Sequence, residues 1–187
     1  LISYICATYK NISAIKQMLF NISKKFGDKI HFDGYDFYTF PTPEKLARTT
    51  AEELARCGLG YRAQYVSETA KMIYENNCEL ESLRNLSYEK AKEELIHFPG
   101  VGSKVADCVL LFSLGKLEAF PVDVWVKRVI VKYYADYFPK EFIEKISDKE
   151  SLTSSEYVKL SIFGRRYFGE YAGYAQEHLY VYERARF

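Results

Sequence analysis

A turn with two glycines, set between two helical segments, constrains the fold more than any other feature of this chain. Residues 97–108 read HFPGVGSKVADC. A helical pattern over residues 87–97 precedes the turn, and an apolar helix follows it to about Leu114. Gly100 and Gly102 let the backbone approach another molecule closely, and the second helix offers the unpaired N–H groups of its first turn to an anion. The stretch therefore predicts a hairpin of two helices whose turn can hold an anion.

Phosphate-binding motifs of other kinds do not match this turn. The P-loop pattern needs a preceding strand and wider glycine spacing, whereas Gly100 and Gly102 are separated by one residue and follow a helix. The dinucleotide-binding fingerprint needs a third glycine and a βαβ unit. Two interpretations stay open. A helix-hairpin-helix that grips a DNA backbone fits best, and a tight turn between helices without a ligand is the alternative.

Helix-start signals recur along the rest of the chain and indicate an all-α fold. Thr50 with Glu53, and Thr153 with Glu156, match the capping box. The sequence HFDGYDFY gives the one clear strand signal, a short β-hairpin that turns at residues 33–34. Strands and helices do not alternate, and the chain carries no internal repeat, so we predict an all-α class with one short β-hairpin. Further predicted helix starts are Asn11, Thr42 and Asp123.

Composition narrows the choice of partners and location. The net charge is only +1, so a nucleic-acid surface has to be a local patch. The cysteines at positions 6, 57, 78 and 108 fit no zinc or iron–sulfur spacing. No signal peptide is visible and no apolar run reaches the roughly 18 residues of a membrane span. We therefore expect no membrane partner, no iron–sulfur cluster and an intracellular location, which is the cytoplasm or nucleoid in a prokaryote.

Lys104 opens the apolar helix, four residues before Cys108. Three interpretations of this lysine are open: a phosphate contact, a side chain that extends to solvent, and a nucleophile. Partial burial and the positive end of the helix dipole both disfavour the ammonium form. The resulting lower pKa would supply the free amine that a nucleophile needs.

Asp123 stands directly before the apolar helical pattern of Val124, Val126 and Val129. An aspartate at this position is a common N-cap, which contributes about 0.5–2 kcal/mol to its helix. A carboxylate that is held rigidly in a cleft also stabilises positive charge on a sugar, as in glycoside cleavage. The two interpretations are compatible with each other.

The stretch FPGVGSKVADCVLLFSLGKLEAFPVDV resembles the signature of the HhH-GPD DNA glycosylases. In that superfamily a helical hairpin, a catalytic Lys, a Gly/Pro-rich stretch and a catalytic Asp follow one another in this order. Within it, the chain is most similar to the 8-oxoguanine DNA glycosylase/AP lyases. Three further stretches match in the right order, and the resemblance covers nearly the whole chain: SYICATYKNI, GLGYRAQYV and FGEYAGYAQEHLY.

The resemblance implies two helical lobes with the active site in the cleft between them. One lobe would span residues 10–108 and end in the helix-hairpin-helix motif, at about 88–113. The other would combine residues 1–9 with 109–187. These enzymes also carry an N-terminal β-rich domain that supplies the carbonyl sensing the N7–H of 8-oxoguanine, and this chain lacks it. Because the chain opens on Leu1, we expect that an upstream segment has been removed.

The resemblance also implies a reaction, the excision of 8-oxoguanine opposite cytosine from a nucleotide flipped out of the duplex. The amine of Lys104 would attack the deoxyribose C1′, displace the base and form a Schiff base, after which β-elimination nicks the strand. Asp123 would stabilise the cationic sugar. Cys108 and Tyr180 would lie against the two faces of the base, and Gln176 would read its Watson–Crick edge.

Further residues match DNA-contacting positions of the family. Trp125 replaces a His that touches a phosphate, and nearby Lys127 and Arg128 are expected to compensate. The expected DNA-binding set is Asn11, Tyr61, Arg62, Gly100, Val101, Gly102, Lys127 and Arg128. The hairpin carbonyls commonly hold a cation in this superfamily, so a structural K⁺ or Na⁺ is expected, and no other cofactor. Its carbonyl ligands would come from Ile96, Phe98 and Val101.

Two rival functions remain from the sequence. A non-catalytic helix-hairpin-helix module would explain the glycines without any role for Lys104, Asp123 or Gln176. A glycosylase for another lesion, such as an oxidised pyrimidine or an alkylated base, would keep the nucleophile and change the pocket. The predicted partner is damaged double-stranded DNA, bound by a monomer.

Overall fold

The computed structural model describes residues 1–186, and helices make up most of them. The helices are α1 (Ile2–Ala7), α2 (Ile12–Phe26), α3 (Pro43–Ala47), α4 (Ala51–Leu54), α5 (Arg62–Glu75), α6 (Tyr88–Ile96), α7 (Ser103–Phe112), α8 (Val124–Tyr133), α9 (Lys140–Ser147), α10 (Ser154–Phe168) and α11 (Ala172–Arg184). Strands β1 (Lys29–Phe32) and β2 (Tyr35–Tyr38) pair antiparallel. The predicted all-α class with a short β-hairpin is confirmed.

The helix starts follow the capping signals of the sequence. The Asn11 side chain accepts a hydrogen bond from the Ala14 N–H at 2.8 Å and so begins α2. Both predicted capping boxes are present, at the starts of α4 and α10. In each box the Thr oxygen accepts from the backbone N–H three residues on, while the Glu carboxylate accepts from the Thr N–H. These local bonds explain why the helix starts could be predicted.

The β-hairpin turns where the sequence places it. Phe32 pairs with Tyr35, which leaves Asp33 and Gly34 as the two turn residues. Both turn residues have positive φ, 49° and 78°, as a tight two-residue hairpin turn requires.

The chain divides into two compact units. The first unit consists of Leu1–Leu83 and Leu95–Val101, and the second consists of Arg84–Glu94 together with residues 102–186. The division differs from the predicted lobes in three respects. Residues 102–108, with Lys104 and Cys108 of α7, lie in the second unit and not in the first. Helix α1 lies in the first unit, where it packs against α2 and α5, and most of α6 lies in the second unit.

The first unit has its core around α5, which packs against α1, α3 and α4. The chain leaves α4 through a π-helical turn, Ala55–Leu59. Gly58 takes a φ of 91° in that turn, which a glycine adopts without strain. The fully buried side chains of this unit include Ile5, Ile22, Leu46, Leu54, Leu59 and Val66.

The second unit has its core around Phe120, whose ring is fully buried and stacks on Phe168 at 5.7 Å. Gly164 on α10 lies under this ring, and a Cβ at that position would stand 2.2 Å from the Phe120 Cδ1 atom. The close approach of α10 to the Phe120 ring therefore requires a glycine, which has no side chain, at position 164. The buried cluster comprises Phe120, Val122, Val126, Ile130, Ile146, Tyr157, Leu160 and Ala172.

Gly164→Ala is expected to destabilise the protein, because the added methyl group overlaps the buried ring. Overpacking of this kind costs about 1–3 kcal/mol, and the better helix propensity of Ala returns up to about 1 kcal/mol. Urea unfolding followed by circular dichroism measures the difference. Gly102→Ala shows the effect of a methyl group that overlaps nothing, since nothing lies within 4 Å of a Cβ there and φ is −92°. Gly102 is the N-cap of α7, so only the weaker capping by Ala should lower the stability of that variant. A Gly164→Ala variant as stable as the unchanged protein would contradict the packing argument.

Candidate active site

Helix α7 presents Lys104 and Cys108 from consecutive turns of the same face. Lys104, in the first turn, is exposed, whereas Cys108 is buried. Burial raises the pKa values of both Cys108 and Asp123, and the positive charge of Lys104 partly offsets the rise at each of them. The structure therefore brings the predicted nucleophile, the predicted carboxylate and the predicted wall of the base pocket together in the second unit.

Asp123 is the N-cap of α8, as predicted. Its Oδ1 accepts hydrogen bonds from the N–H groups of Trp125 at 3.0 Å and Val126 at 2.8 Å. Burial raises the pKa of the Asp123 carboxyl, while the cap bonds and the charge of Lys104 act in the opposite direction. Both cap bonds end on Oδ1, so capping does not use Oδ2. One carboxylate can therefore hold the helix and face a cation at the same time.

Cys108 keeps its proton in this environment. Burial raises the pKa of its thiol to about 12, and the charge of Lys104 only partly offsets that effect. A thiol, unlike a thiolate, is a poor nucleophile and a poor metal ligand. Cys108 is therefore suited to apolar contact with a ligand.

Gln176 lies on α11 with only 4 % of its surface exposed. Its Oε1 atom is buried and accepts no hydrogen bond from residues 1–186. A buried acceptor without a donor costs about 1–3 kcal/mol, so such atoms generally have a partner in the functional state. The Gln176 Oε1 atom is therefore open to a hydrogen bond from a ligand or from water.

Tyr180 lies one turn after Gln176 on α11, and its hydroxyl accepts a hydrogen bond from Arg184 at 2.6 Å. Glu177, next to Gln176, had no sequence signal but belongs to this group of side chains. Its pKa is raised by burial and by the charge of Asp123, and its own charge raises the pKa of Cys108. Helix α11 therefore places Glu177 near Asp123 and Cys108, with Gln176 next to Glu177 in sequence and Tyr180 one turn after Gln176.

The glycine turn is held by α5 in the first unit. Gly100 has a φ of 78°, and a Cβ there would lie 2.8 Å from the ring of Tyr65. The Thr69 hydroxyl donates to the Pro99 carbonyl at 3.1 Å, and the Val101 N–H donates to the Phe98 carbonyl at 3.1 Å. The turn is therefore fixed before any ligand arrives.

Arg62 does not match the expected contact with DNA. Its side chain is buried, with 3 % exposed, and its Nε donates to the Thr8 carbonyl at 2.9 Å. A second guanidinium nitrogen donates to the Leu59 carbonyl. Arg62 thus ties the end of α1 to the start of α5. Tyr61, by contrast, is 57 % exposed, with its ring next to that of Tyr65.

Lys127 requires a similar correction. Its ammonium is buried and donates to the carbonyls of Ile146 at 3.0 Å and Ser147 at 3.1 Å, at the end of α9. A cation at a helix C-terminus satisfies carbonyls that have no partner inside the helix. Lys127 therefore holds α9 and does not fit the predicted phosphate contact. Arg128 is exposed, and its guanidinium lies 4.8 Å from the centre of the Trp125 ring.

Asp107 carries a buried carboxylate, to which no role is assigned from the sequence. Asp107 is fully buried on α7, where the Tyr88 and Tyr157 hydroxyls each donate to it at 2.6 Å. The Ser161 hydroxyl donates at 3.3 Å, and the Lys92 ammonium forms an ion pair at 2.9 Å. The available signal was an aspartate inside the apolar run VADCVLL, since a charge is rarely buried without partners.

The described part of the chain has no cluster of three or more His, Cys, Asp or Glu side chains that could hold a metal ion. No helix within residues 1–186 combines the length and the apolar character needed to cross a membrane.

Comparison with known proteins gives the class to which this fold and site belong. Residues 2–148 match the family described as HhH-GPD superfamily base excision DNA repair protein. The match covers the helical hairpin, Lys104 and Asp123, and extends over most of the chain. The chain therefore belongs to the HhH-GPD superfamily.

Individual relatives are similar over almost the full chain. The N-glycosylase/DNA lyase of Saccharomyces cerevisiae is 35% identical over 98% of this chain and 54% of the relative. The probable N-glycosylase/DNA lyase of Methanothermobacter thermautotrophicus is 34% identical over 89% of the chain and 53% of the relative. The chain thus spans about half the length of the curated relatives it matches.

A solved structure also aligns closely. The 8-oxoguanine glycosylase/lyase of Clostridium acetobutylicum, in complex with double-stranded DNA containing cytosine opposite 8-oxoguanine, superimposes with a TM-score of 0.84. It is 37% identical, and the alignment covers 98% of this chain and 58% of that one.

Cys108 is expected to resist alkylation, because its thiol is buried and has a pKa of about 12. Peptide mapping after iodoacetamide treatment at pH 8 is expected to show labelling of Cys108 about a hundredfold slower than that of the half-buried Cys78. Unfolding in urea should make the two rates similar. Equal labelling in the folded protein would show that Cys108 carries a reactive thiolate.

Proposed function

We propose that this protein is a DNA glycosylase with AP lyase activity that removes 8-oxoguanine opposite cytosine through a Schiff base on Lys104. The observation that carries the proposal is the grouping of Lys104, Asp123 and Cys108 around one position, with the orphaned acceptor of Gln176 on the adjoining helix α11. The names of the relatives, N-glycosylase/DNA lyase and 8-oxoguanine glycosylase/lyase, support this substrate and this chemistry.

The proposed reaction begins with the free amine of Lys104. Its nitrogen forms a bond to C1′ of the flipped deoxyribose while the bond from C1′ to the base breaks. The electron pair of the broken bond leaves with the base, which takes up a proton. Opening of the sugar ring then gives the Schiff base between Lys104 and C1′. Loss of a proton from C2′ expels the 3′ phosphate and nicks the strand.

Asp123 acts on the positive charge that develops on the sugar. Its carboxylate is fixed by two cap bonds, so it needs no reorganisation when the charge appears. Burial weakens the solvation of this carboxylate, as its raised pKa indicates. A poorly solvated anion attracts a neighbouring cation more strongly than an exposed one does. Asp123 would therefore stabilise the transition state more than the ground state.

Gln176 would identify the base. The Watson–Crick edge of a guanine carries N–H donors, and the orphaned Oε1 of Gln176 lacks a donor. The protonated thiol of Cys108 would pack against one face of the ring, and Tyr180 against the other. A base in this position would donate a hydrogen bond to Gln176 Oε1. In the free protein, burial of this atom without a donor costs free energy.

The hairpin turn would hold the DNA backbone near Gly100, Val101 and Gly102. Gly102 begins α7 and has open space around it, so a phosphate can approach the first N–H groups of that helix. We also propose that the carbonyls of Ile96, Phe98 and Val101 bind K⁺ or Na⁺. Exposed Asn11, Tyr61 and Arg128 remain candidates for DNA contact, and we propose that a monomer acts on DNA inside the cell.

Borohydride trapping tests the nucleophile and the substrate together. The protein mixed with an 8-oxoguanine:cytosine duplex and sodium borohydride is expected to form a covalent adduct, seen as a shifted band on a denaturing gel. Lys104→Gln should form none, because the amide is not a nucleophile. Lys140→Gln, at an exposed lysine on α9, should behave as the unchanged protein does.

Three other outcomes of the trapping experiment would contradict the proposal, each in a different part. An adduct that survives Lys104→Gln overturns the assigned nucleophile. Adducts only on duplexes with oxidised pyrimidines overturn the substrate. Binding to damaged duplex without an adduct on any lesion supports a non-catalytic DNA-binding module.

Asp123→Asn is expected to keep the helix-capping role of this residue and to remove its negative charge. The Asn oxygen still caps α8, so the free energy of unfolding should change by less than about 0.5 kcal/mol. The single-turnover excision rate should fall about a hundredfold or more, because the charge that stabilises the sugar cation is gone. Urea unfolding and quenched-flow excision measure the two effects. A rate close to that of the unchanged protein would contradict the role of Asp123.

The same variant is expected to change the pH dependence of excision. Asp123 loses its charge as the pH falls through its raised pKa, so the rate should fall on the acid side at a pH above 3.8. Asp123→Asn should lack this acid limb. Glu177→Gln is the control, and it should keep the limb, because the Asp123 carboxyl, its burial and its cap bonds are unchanged. An acid limb that persists in Asp123→Asn would assign it to another group.

A further inference from the structure

Tyr157 connects the two segments that carry the candidate catalytic residues. Its side chain lies on α10, and its hydroxyl donates to the Asp107 Oδ2 atom at 2.6 Å. The same hydroxyl oxygen accepts a hydrogen bond from the Val122 N–H at 3.4 Å. One buried hydroxyl therefore lies between a side chain of α7 and the main chain just before α8.

The Tyr157 hydroxyl thus forms a bridge between Asp107 and the Val122 main chain. Both of these residues lie close in sequence to a candidate catalytic residue. Asp107 is three residues after Lys104 on α7, which is nearly one helical turn. Val122 is bonded directly to Asp123 in the chain. A path of fixed groups thus leads from the predicted nucleophile to the predicted carboxylate through Asp107, Tyr157 and Val122.

The protonation state of Tyr157 determines which of its two hydrogen bonds the hydroxyl donates and which it accepts. Burial and the Asp107 carboxylate raise the pKa of Tyr157 well above its ordinary value, so the phenol stays protonated. The O–H then points to the carboxylate, and the oxygen lone pairs remain available to the Val122 N–H. Donation to a carboxylate polarises the hydroxyl and strengthens it as an acceptor.

Packing of Phe120 and Val122 in the buried core holds the segment before α8, and the Tyr157 hydroxyl adds a hydrogen bond to its main chain. Residues 119–123 are outside any helix or strand, so the buried N–H of Val122 has no partner from regular secondary structure. The position of Asp123 along this segment decides how its carboxylate faces the sugar. A contact that fixes Val122 therefore also fixes the start of α8.

We propose that Tyr157 is a positioning residue, whose hydroxyl sets the position of Asp123 relative to Lys104 by joining Asp107 to the Val122 main chain. This inference rests on the proposed glycosylase/lyase function and adds to it a residue that touches neither base nor sugar. A displacement of reacting groups by about 1 Å is enough to slow an enzymatic step strongly, by up to a hundredfold. The effect is therefore expected on the chemical step and not on DNA binding.

Tyr88 provides a matched control in the same carboxylate network. Its hydroxyl donates to Asp107 Oδ1 at 2.6 Å, the same distance as for Tyr157, but the Val122 N–H bonds to Tyr157. Tyr157→Phe and Tyr88→Phe each remove one buried phenol hydroxyl from Asp107. Only the first also removes the acceptor of the Val122 N–H.

The test is single-turnover excision of 8-oxoguanine at saturating protein, with borohydride trapping, for the unchanged protein and both variants. Tyr157→Phe is expected to lower the rate constant about tenfold, and Tyr88→Phe about twofold or less. The affinity for a duplex with an uncleavable lesion analogue should be the same in all three. Because the rate constant does not depend on the fraction of folded protein, a less stable variant still gives a valid result, and thermal melting records that stability.

The outcomes separate this inference from the proposed function. Trapping by the unchanged protein with a slow Tyr157→Phe and a normal Tyr88→Phe supports the positioning role. Trapping at the same rate by Tyr157→Phe, or equal slowing by both variants, overturns it and leaves the proposed function standing. An unchanged protein that gives no adduct overturns the proposed function, and the positioning role falls with it.

Discussion

The buried carboxylate of Asp107 holds three helices of the second unit together. Two tyrosine hydroxyls, a serine hydroxyl and the Lys92 ammonium converge on it from α6 and α10. A charge without water costs several kcal/mol unless it is paired and hydrogen-bonded, so loss of a partner of Asp107 would be strongly destabilising. Helix α7 is thereby fixed, and the same helix carries Lys104 and Cys108. The geometry of the candidate site depends on this one interaction.

Two consecutive turns of α7 carry three side chains in three different environments. Lys104 is exposed, Asp107 is fully buried among its partners, and Cys108 is buried as a protonated thiol. This difference in burial assigns the roles, because the exposed amine can reach a ligand while the buried carboxylate holds the helix. Asp123 lies between these extremes, with a raised pKa and two cap bonds that keep it in place.

Local signals in the sequence predicted the helix starts, the β-hairpin and the Asp123 cap, since each depends on residues within four positions of one another. The resemblance to a known family selected the nucleophile among the three interpretations of Lys104, and it added Gln176. Two residues whose hydrogen-bond partners are distant in the chain have other roles than the DNA contacts predicted from the sequence. Arg62 bonds to Thr8, and Lys127 bonds to the end of α9, and neither sequence neighbourhood contains that information. Tyr157 and Asp107 are likewise fifty residues apart.

The hydrogen bonds of Lys127 to carbonyls within the second unit affect how strongly salt should weaken DNA binding. Each cation that neutralises a DNA phosphate releases a counterion and adds about 0.9 to the slope of log affinity against log salt. Lys127 donates to carbonyls of its own unit, so in the proposed complex it adds nothing to that slope, whereas exposed Arg128 can. A tally of basic residues along α8 therefore overstates how strongly salt weakens the complex.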